Sequence, residues 1–486
     1  MDSPVRLLQG VPPAPYGDGV TDETQLDRRD APEPTASGVD PAATDAAPAE
    51  PTAPKRQAVL LTAPREGTPE PVTDMQGLAD LAKRFAAGHG PVAIDAERAS
   101  GYRYTHRAYL VQLRRAGVGT ALIDPLPLGQ LDILCDAIID AEWILHAASQ
   151  DLPCLAEIGL RPRRLFDTEL AARLAGFERV GLAALTEMLL GYALEKHHSA
   201  ADWSTRPLPA SWLAYAALDV ELLLELRDMV AAELDRQGKT EWAQQEFAAL
   251  VAGVGEPPKV RADPWRRTSG IHRIRGARAL ARVRALWYAR DELAARRDAS
   301  PGRVLPDSAI IAAAEGDPRD ERSLVLLPGF GGRSVRRLAN VWLDALTAAR
   351  GLNEPDLPAT PTADGPPPPH RWAERDPVAA ARLVRCREVV TSVGATYRVP
   401  AENLLSPDSV RRLAWTPPES LTPGTVGEIL RGLGARQWQI DLTAERLAVA
   451  LAVPPLTPAA QAAAEPLLAE VAEPDAAEAA EPRPEM

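Results

Sequence analysis

Asp95 and Glu97 stand one residue apart, directly after the apolar run Val92-Ala93-Ile94, in the stretch PVAIDAERAS. Side chains two apart on a strand share a face, so a strand here would project both carboxylates together. Carboxylates held that close repel, and desolvating them is costly unless something positive lies between them. A divalent cation is the simplest such partner. Taken alone, the same pattern fits a strand that runs out into water with both acids hydrated.

Two later stretches carry related signals. In LHAASQDLPCL an apolar strand ends at His146, and Asp151 opens the next helix, a place where the helix dipole favours any acid. In YAALDVELLLEL, Tyr215 and Asp219 lie one turn apart on one helix face, flanked by Leu218, Leu222, Leu223 and Leu226. An acid among leucines needs a partner, and a phenol one turn away can orient a water or a phosphate oxygen.

The elements that must position these residues follow from periodicity. Leu78, Leu81 and Phe85 recur at helical spacing over 74–87. Strands are expected at 92–97, 107–115 and 120–125, joined by short Gly-containing turns as an antiparallel meander. A helix over LGQLDILCDAI precedes a strand at 143–148. A helix opening at SQDLPCLAEIG and the strand LFDT then alternate with it, which points to an α/β sheet of mixed direction. Residues 180–250 read as helical, with ordered chain beginning near 57. Asp167, in LFDT, is expected to cap the helix after it, and Trp203 and Trp212 to serve packing.

Beyond this α/β unit, 253–268 is a polar connection and 269–352 is all-helical. Residues 353–375 form a Pro-rich linker, semi-rigid and extended, and 376–452 are helical again. Residues 1–56 and 453–486, rich in Pro, Ala and acids, are expected to be disordered. The chain has 486 residues and a net charge of −13, but the charge is uneven. Residues 259–303 hold thirteen Lys/Arg against four Asp/Glu, whereas 451–486 hold seven acids and one base, and 1–56 ten acids and five bases. A basic helical block suits a polyanion, although it also fits a solvated arginine-rich surface. Within it Arg273, Arg275, Arg278, Arg282 and Arg284 are candidate phosphate contacts.

Cys135, Cys154 and Cys386 form no CxxC pair, so neither a zinc ribbon nor a disulfide framework is expected. No apolar stretch approaches the roughly 20 residues a membrane span needs, and the N-terminus does not read as a signal peptide. A reducing, cytoplasmic setting is expected.

D-x-E on a first strand, an Asp after a later strand and Y-x-x-x-D on a closing helix, in this order, resemble the DEDDy 3′–5′ exonuclease superfamily. RAYLVQLRRAGVGTALIDPL, LFDTELAARLAG and ADWSTRPLPASWLAYAALDVELLLEL sharpen the resemblance to ribonuclease D over roughly 75–245. LWYARDELAARRDASPGRVLPDSAIIAAAE with LVLLPGF resembles the HRDC domain, a small helical nucleic-acid-binding module, and 376–450 resemble a second, degenerate copy.

The resemblance implies a fold and a chemistry. The fold would be an RNase H-like mixed sheet flanked by helices over 57–250, followed by two all-α modules. Asp95, Glu97, Asp151 and Asp219 match the family's metal-binding acids, and Tyr215 the tyrosine that positions the attacking water. Two divalent ions would be held, and hard carboxylate oxygens suit Mg²⁺ or Mn²⁺ rather than zinc. The implied activity is removal of nucleoside 5′-monophosphates from a free RNA 3′ end, tRNA precursors included. A DNA 3′–5′ exonuclease and a catalytically silent nucleic-acid-binding protein are the competing readings. His146, Arg98, Lys196 and Arg206 are candidate substrate contacts. Ala96 and Arg98 stand where the family often has Thr and Phe. The spacing of the two acids is unchanged, but the wall beside the terminal nucleotide differs.

Overall fold

Five strands of this chain form one sheet, and the acid-bearing strand is its centre. In the computed structural model, which describes residues 58–194, 200–256, 262–359 and 365–452, strand β1 (Val59–Leu61) leads into helix α1 (Met75–Ala87). The Asp74 carboxylate caps α1 by accepting from the Gly77 amide at 2.9 Å. There follow β2 (His89–Arg98), β3 (Ala108–Ala116) and β4 (Gly119–Ile123), paired antiparallel as a meander. Gly117 and Gly119, both at positive φ, make the tight β3–β4 turn. Helix α2 (Asp132–Ile138), β5 (Glu142–Leu145), α3 (Leu152–Glu157), β6 (Arg164–Asp167) and α4 (Thr168–Ala175) then add the parallel half. The resulting strand order is β4-β3-β2-β5-β6. The disordered ends expected at 1–56 and 453–486 lie outside the described residues.

The expectation of a helical run from 180 to 250 is corrected over its first half, where 200–209 are turns and irregular chain and a strand precedes them. A short α5 (Leu182–Leu185) passes through a π-helical turn into β7 (Tyr192–Leu194), which pairs in parallel with β1. Three residues are too few for periodicity to reveal a strand. From there α6 (Ala210–Glu221), α7 (Leu223–Arg236) and α8 (Thr240–Ala252) complete the unit. Helix α6 packs on β2, β3 and β4, where Leu110, Leu122, Trp203, Leu213 and Ala216 form a separate buried cluster. The indoles of Trp203 and Trp212 meet there at 5.3 Å.

Both helical regions grip this unit. In the first, α9 (Ala277–Arg297) packs with the helix Ala339–Arg350 around Trp265, Leu286 and Trp342. It holds the loop that follows β2. The Tyr104 hydroxyl donates to Asp291, Thr105 donates to Asp298 at 3.1 Å, and the Ser300 amide donates to the Tyr102 carbonyl at 2.9 Å. The second region, centred on the helices Pro377–Tyr397 and Gln437–Ala452, shares one continuous core with the α/β unit. Its Trp438 stacks on Trp242 of α8 at 4.9 Å and 13°, and the indole N–H donates to Glu246 at 3.0 Å.

The stretch expected as an extended linker, 353–375, is partly packed instead. Trp372 is fully buried against Trp415, and its indole donates to the Pro367 carbonyl at 2.6 Å. Burial of one large aromatic outweighs the stiffness of the prolines before it. Trp438→Ala should remove the main anchor of the second helical region. A loss of roughly 3–5 kcal/mol should appear in urea as an early unfolding step, absent in the wild type and largely restored by Trp438→Phe.

Candidate active site

Each motif acid reaches the cluster for a local reason. Strand alternation puts Asp95 and Glu97 on one face, opposite Gln112 and Leu110 of β3. Leu110 and Leu122 belong to the cluster under α6, so this is the face that α6 covers. Asp219 and Tyr215 descend from α6, one turn apart. Asp151 arrives at the start of α3, after β5, which pairs in parallel beside β2.

The structure brings carboxylate oxygens of Asp95, Glu97 and Asp219 within 4.8 Å of one another. Asp151 is only 5% exposed and hydrogen-bonds Asp95 side chain to side chain. The fourth acid therefore adjoins the trio through Asp95. Tyr215 donates its hydroxyl to Asp219. Burial pushes all four carboxyls above their ordinary range. For Glu97 and Asp151 the charge of Asp95 is the next cause, and for Asp219 likewise. Burial, then the charge of Asp219, also raises the Tyr215 phenol well above its usual value, so the phenol keeps its proton.

This donor set fits hard divalent cations. It consists of partly buried carboxylate oxygens, with no thiolate or imidazole among the described residues of the cluster. Among the described residues a single cation is paired into it: the Arg98 Nη2 lies 3.3 Å from Asp151 Oδ1. Burying several like charges with so little compensation is unfavourable unless cations join them.

Two residues escaped the sequence reading or its details. Gln112 is fully buried and its Nε2 donates to Asp95 Oδ2 at 3.3 Å, while its Oε1 has no hydrogen-bond partner among the described residues. The available signal was a lone amide inside the apolar run AYLVQL. Asp167 caps α4 as expected, accepting from the Glu169 and Leu170 amides, and also from the Ala147 and Ala148 amides. It thereby fixes the turn that delivers Asp151.

The candidate substrate contacts divide. Arg206 is corrected to a structural role. All five of its N–H groups are taken, by the Asp124 carboxylate and by the carbonyls of Trp203, Thr205 and Tyr109, which leaves no donor for a phosphate. His146 is held through Nδ1 by the Thr168 hydroxyl at 2.9 Å, and burial lowers its pKa to about 4. It is neutral near pH 7, and its nearest polar partner lies on α4. Lys196 lies outside the described residues. The basic block is also engaged within its own region, though less completely than Arg206. Arg273 pairs with Glu315, Arg278 with Glu354 and Arg282 with Asp317, while Arg275 and Arg284 donate to the carbonyls of His272 and Asp356. Those arginines knit the first helical region together.

Comparison with known proteins accounts for this arrangement. The family model for a 3′–5′ exonuclease matches residues 69–235, that for the HRDC domain matches 279–346, and that for the 3′ to 5′ exonuclease C-terminal domain matches 365–451. Ribonuclease D of Acidiphilium cryptum is 31% identical over 369 residues, covering 72% of this chain and 88% of the relative. That of Granulibacter bethesdensis is 33% identical over 283 residues, covering 56% and 69%. Among solved structures, a protein from Bifidobacterium adolescentis aligns with a TM-score of 0.74 at 40% identity, covering 81% of this chain and 99% of that one. Escherichia coli RNase D, an exoribonuclease involved in structured RNA processing, aligns at 0.57 and 26% identity, covering 75% and 98%. With the mixed sheet, the acid cluster at its centre and the helical HRDC region after it, the chain belongs to the ribonuclease D family of 3′–5′ exoribonucleases.

Proposed function

We propose that Asp95, Glu97, Asp151 and Asp219 hold two divalent cations, Mg²⁺ or Mn²⁺. With Tyr215 they would form the centre that removes nucleotides one at a time from RNA 3′ ends, tRNA precursors among them. The observation that carries this reading is the meeting of three partly buried carboxylates within 4.8 Å. Bound cations would supply Lewis-acid stabilisation of the phosphate and a water of lowered pKa.

The rest is the work of the chain. The acids bind in their ionised form, so loading the site releases protons. Tyr215 donates a hydrogen bond to Asp219, which leaves the oxygen lone pairs free to face the cluster. There they can accept a hydrogen bond from the attacking water. Because the phenol stays protonated, Tyr215 orients the water and does not deprotonate it. Approach of the polyanion is supported by the first helical region, where Arg333, Arg336 and Arg337 are exposed and have no ion-pair partner among the described residues.

Three outcomes test this reading. Asp95→Ala with Glu97→Ala, or a chelator added to wild type, should abolish hydrolysis of single-stranded RNA while binding of the same RNA largely remains. In the same assay wild type should trim a tRNA precursor's 3′ extension and leave a matched DNA strand comparatively intact. Loss of DNA faster than RNA would sink the substrate assignment. Tyr215→Phe should keep metal and RNA binding but lower kcat on the order of 10²-fold, the usual cost of one positioning hydrogen bond.

A further outcome concerns pH. An acid whose folded pKa is raised favours the folded state below its unfolded value of about 4, and that contribution is lost as pH rises through the folded value. Metal-free protein should therefore lose stability as pH rises from about 5 to about 8, and divalent cations should restore it. Asp219→Asn should raise the melting midpoint of the metal-free protein at about pH 8 by a few degrees, and by less at about pH 5. A lower midpoint in that variant at the higher pH would contradict the assignment of Asp219 to a strained like-charge cluster.

A further inference from the structure

The two candidate arginines are held in opposite ways. Arg206 has every donor satisfied. Arg98 makes one charge contact, Nη2 to Asp151 Oδ1 at 3.3 Å, and no protein hydrogen bond is formed by the rest of its fork among the described residues. Its side chain is 27% exposed, against 7% for that of Asp151, so the guanidinium meets the cluster from the solvent side.

Its presence there departs from the strand pattern. Strict alternation sends Arg98 to the face opposite Asp95 and Glu97. The β2–β3 register, however, slips between Glu97, opposite Leu110, and Arg98, opposite Ala108. Such irregularities re-aim side chains and are frequent beside active sites. The loop directly after Arg98 is clamped by the first helical region through Tyr102, Tyr104 and Thr105, which fixes the backbone from which the arginine swings.

We propose that Arg98 is a positioning residue that guards the Asp151 side of the metal centre and passes to the substrate's phosphate when a cation takes its place. The inference rests on the assignment of the four acids as metal ligands. A guanidinium against Asp151 partly neutralises the cluster when no cation is bound. A cation held on the Asp151 side would have to displace that charge, so occupancy of this side would be weakened in the RNA-free protein. The contact is single, and an incoming cation takes over its compensation of Asp151, so the exchange leaves no acid uncompensated. The freed fork then matches the geometry of a phosphate. The cation and the RNA thus enter as a coupled pair.

The test is Mn²⁺ binding to the full chain without RNA, followed through the paramagnetic resonance signal of free Mn²⁺, together with the KM for a single-stranded RNA. Wild type should bind one Mn²⁺ tightly and a second weakly. Arg98→Met should tighten the weak constant about tenfold, within the usual range of coupling between two ligands, and raise KM. Arg98→Lys keeps the charge but loses the fork, so it should leave the weak Mn²⁺ constant near wild type and still raise KM. If Arg98→Met binds the second Mn²⁺ no more tightly, or if KM is unchanged, the proposal is overturned. If Asp219→Asn leaves both Mn²⁺ constants unchanged, the assignment of the acids fails instead.

Discussion

Mutual repulsion of carboxylates gathered in a partly buried cluster is the constraint on which the rest of this structure depends. Asp95, Glu97, Asp151 and Asp219 would separate or hydrate if their backbones allowed it. They come from three separate places, the end of a central strand, the start of a helix after the neighbouring strand, and a helix lying across the sheet. Each is made rigid by something that is not an acid of the cluster. Val92, Ala93 and Ile94 are fully buried beneath the first pair. The Asp167 carboxylate accepts four backbone amides around the turn before Asp151. The leucines and alanines of α6 seat Asp219 over β3 and β4. The hydrophobic core holds together what electrostatics would push apart.

The helical regions extend that rigidity by different means. The second region is joined to the α/β unit through apolar burial, with Trp242, Trp438 and Tyr397 in one aromatic group and Glu246 accepting from Trp438 and paired with Arg436. The first holds the loop 99–107 chiefly through polar contacts, with the Tyr104 ring packed against its core. A dry aromatic seam suits a permanent foundation. A polar contact on the loop next to Arg98 suits a part that shapes the entrance, because such bonds can exchange with water at small net cost.

Much of this was legible in the sequence, because it depended on local rules. Alternation put Asp95 and Glu97 on one face, helical spacing put Tyr215 beside Asp219, and an Asp before a helix marked the α4 cap. What was not legible depended on distant partners. Nothing in the residues near Arg206 announces that Asp124, some eighty positions earlier, would occupy its fork. The reach of Arg98 to Asp151 required a register slip that composition does not encode. The prolines of 353–375 suggested an extended linker, yet Trp372 found a tryptophan partner at Trp415. Strand β7 was too short to show a period at all.

The same distinction explains why charge counts mislead in this chain. Thirteen basic residues in 259–303 looked like a polyanion surface. Arg273, Arg278, Arg282 and Arg290 instead pair with Glu315, Glu354, Asp317 and Asp307 and fasten helices to one another. The cations that remain without an ion-pair partner among the described residues include Arg333, Arg336 and Arg337, outside the dense block. An arginine is available to a phosphate only when its fork is unfilled, so availability is a property of tertiary pairing and not of local density. By that criterion Arg98 and the Arg333–Arg337 turn are candidates to face RNA, whereas the most basic stretch of the sequence chiefly holds its own module together.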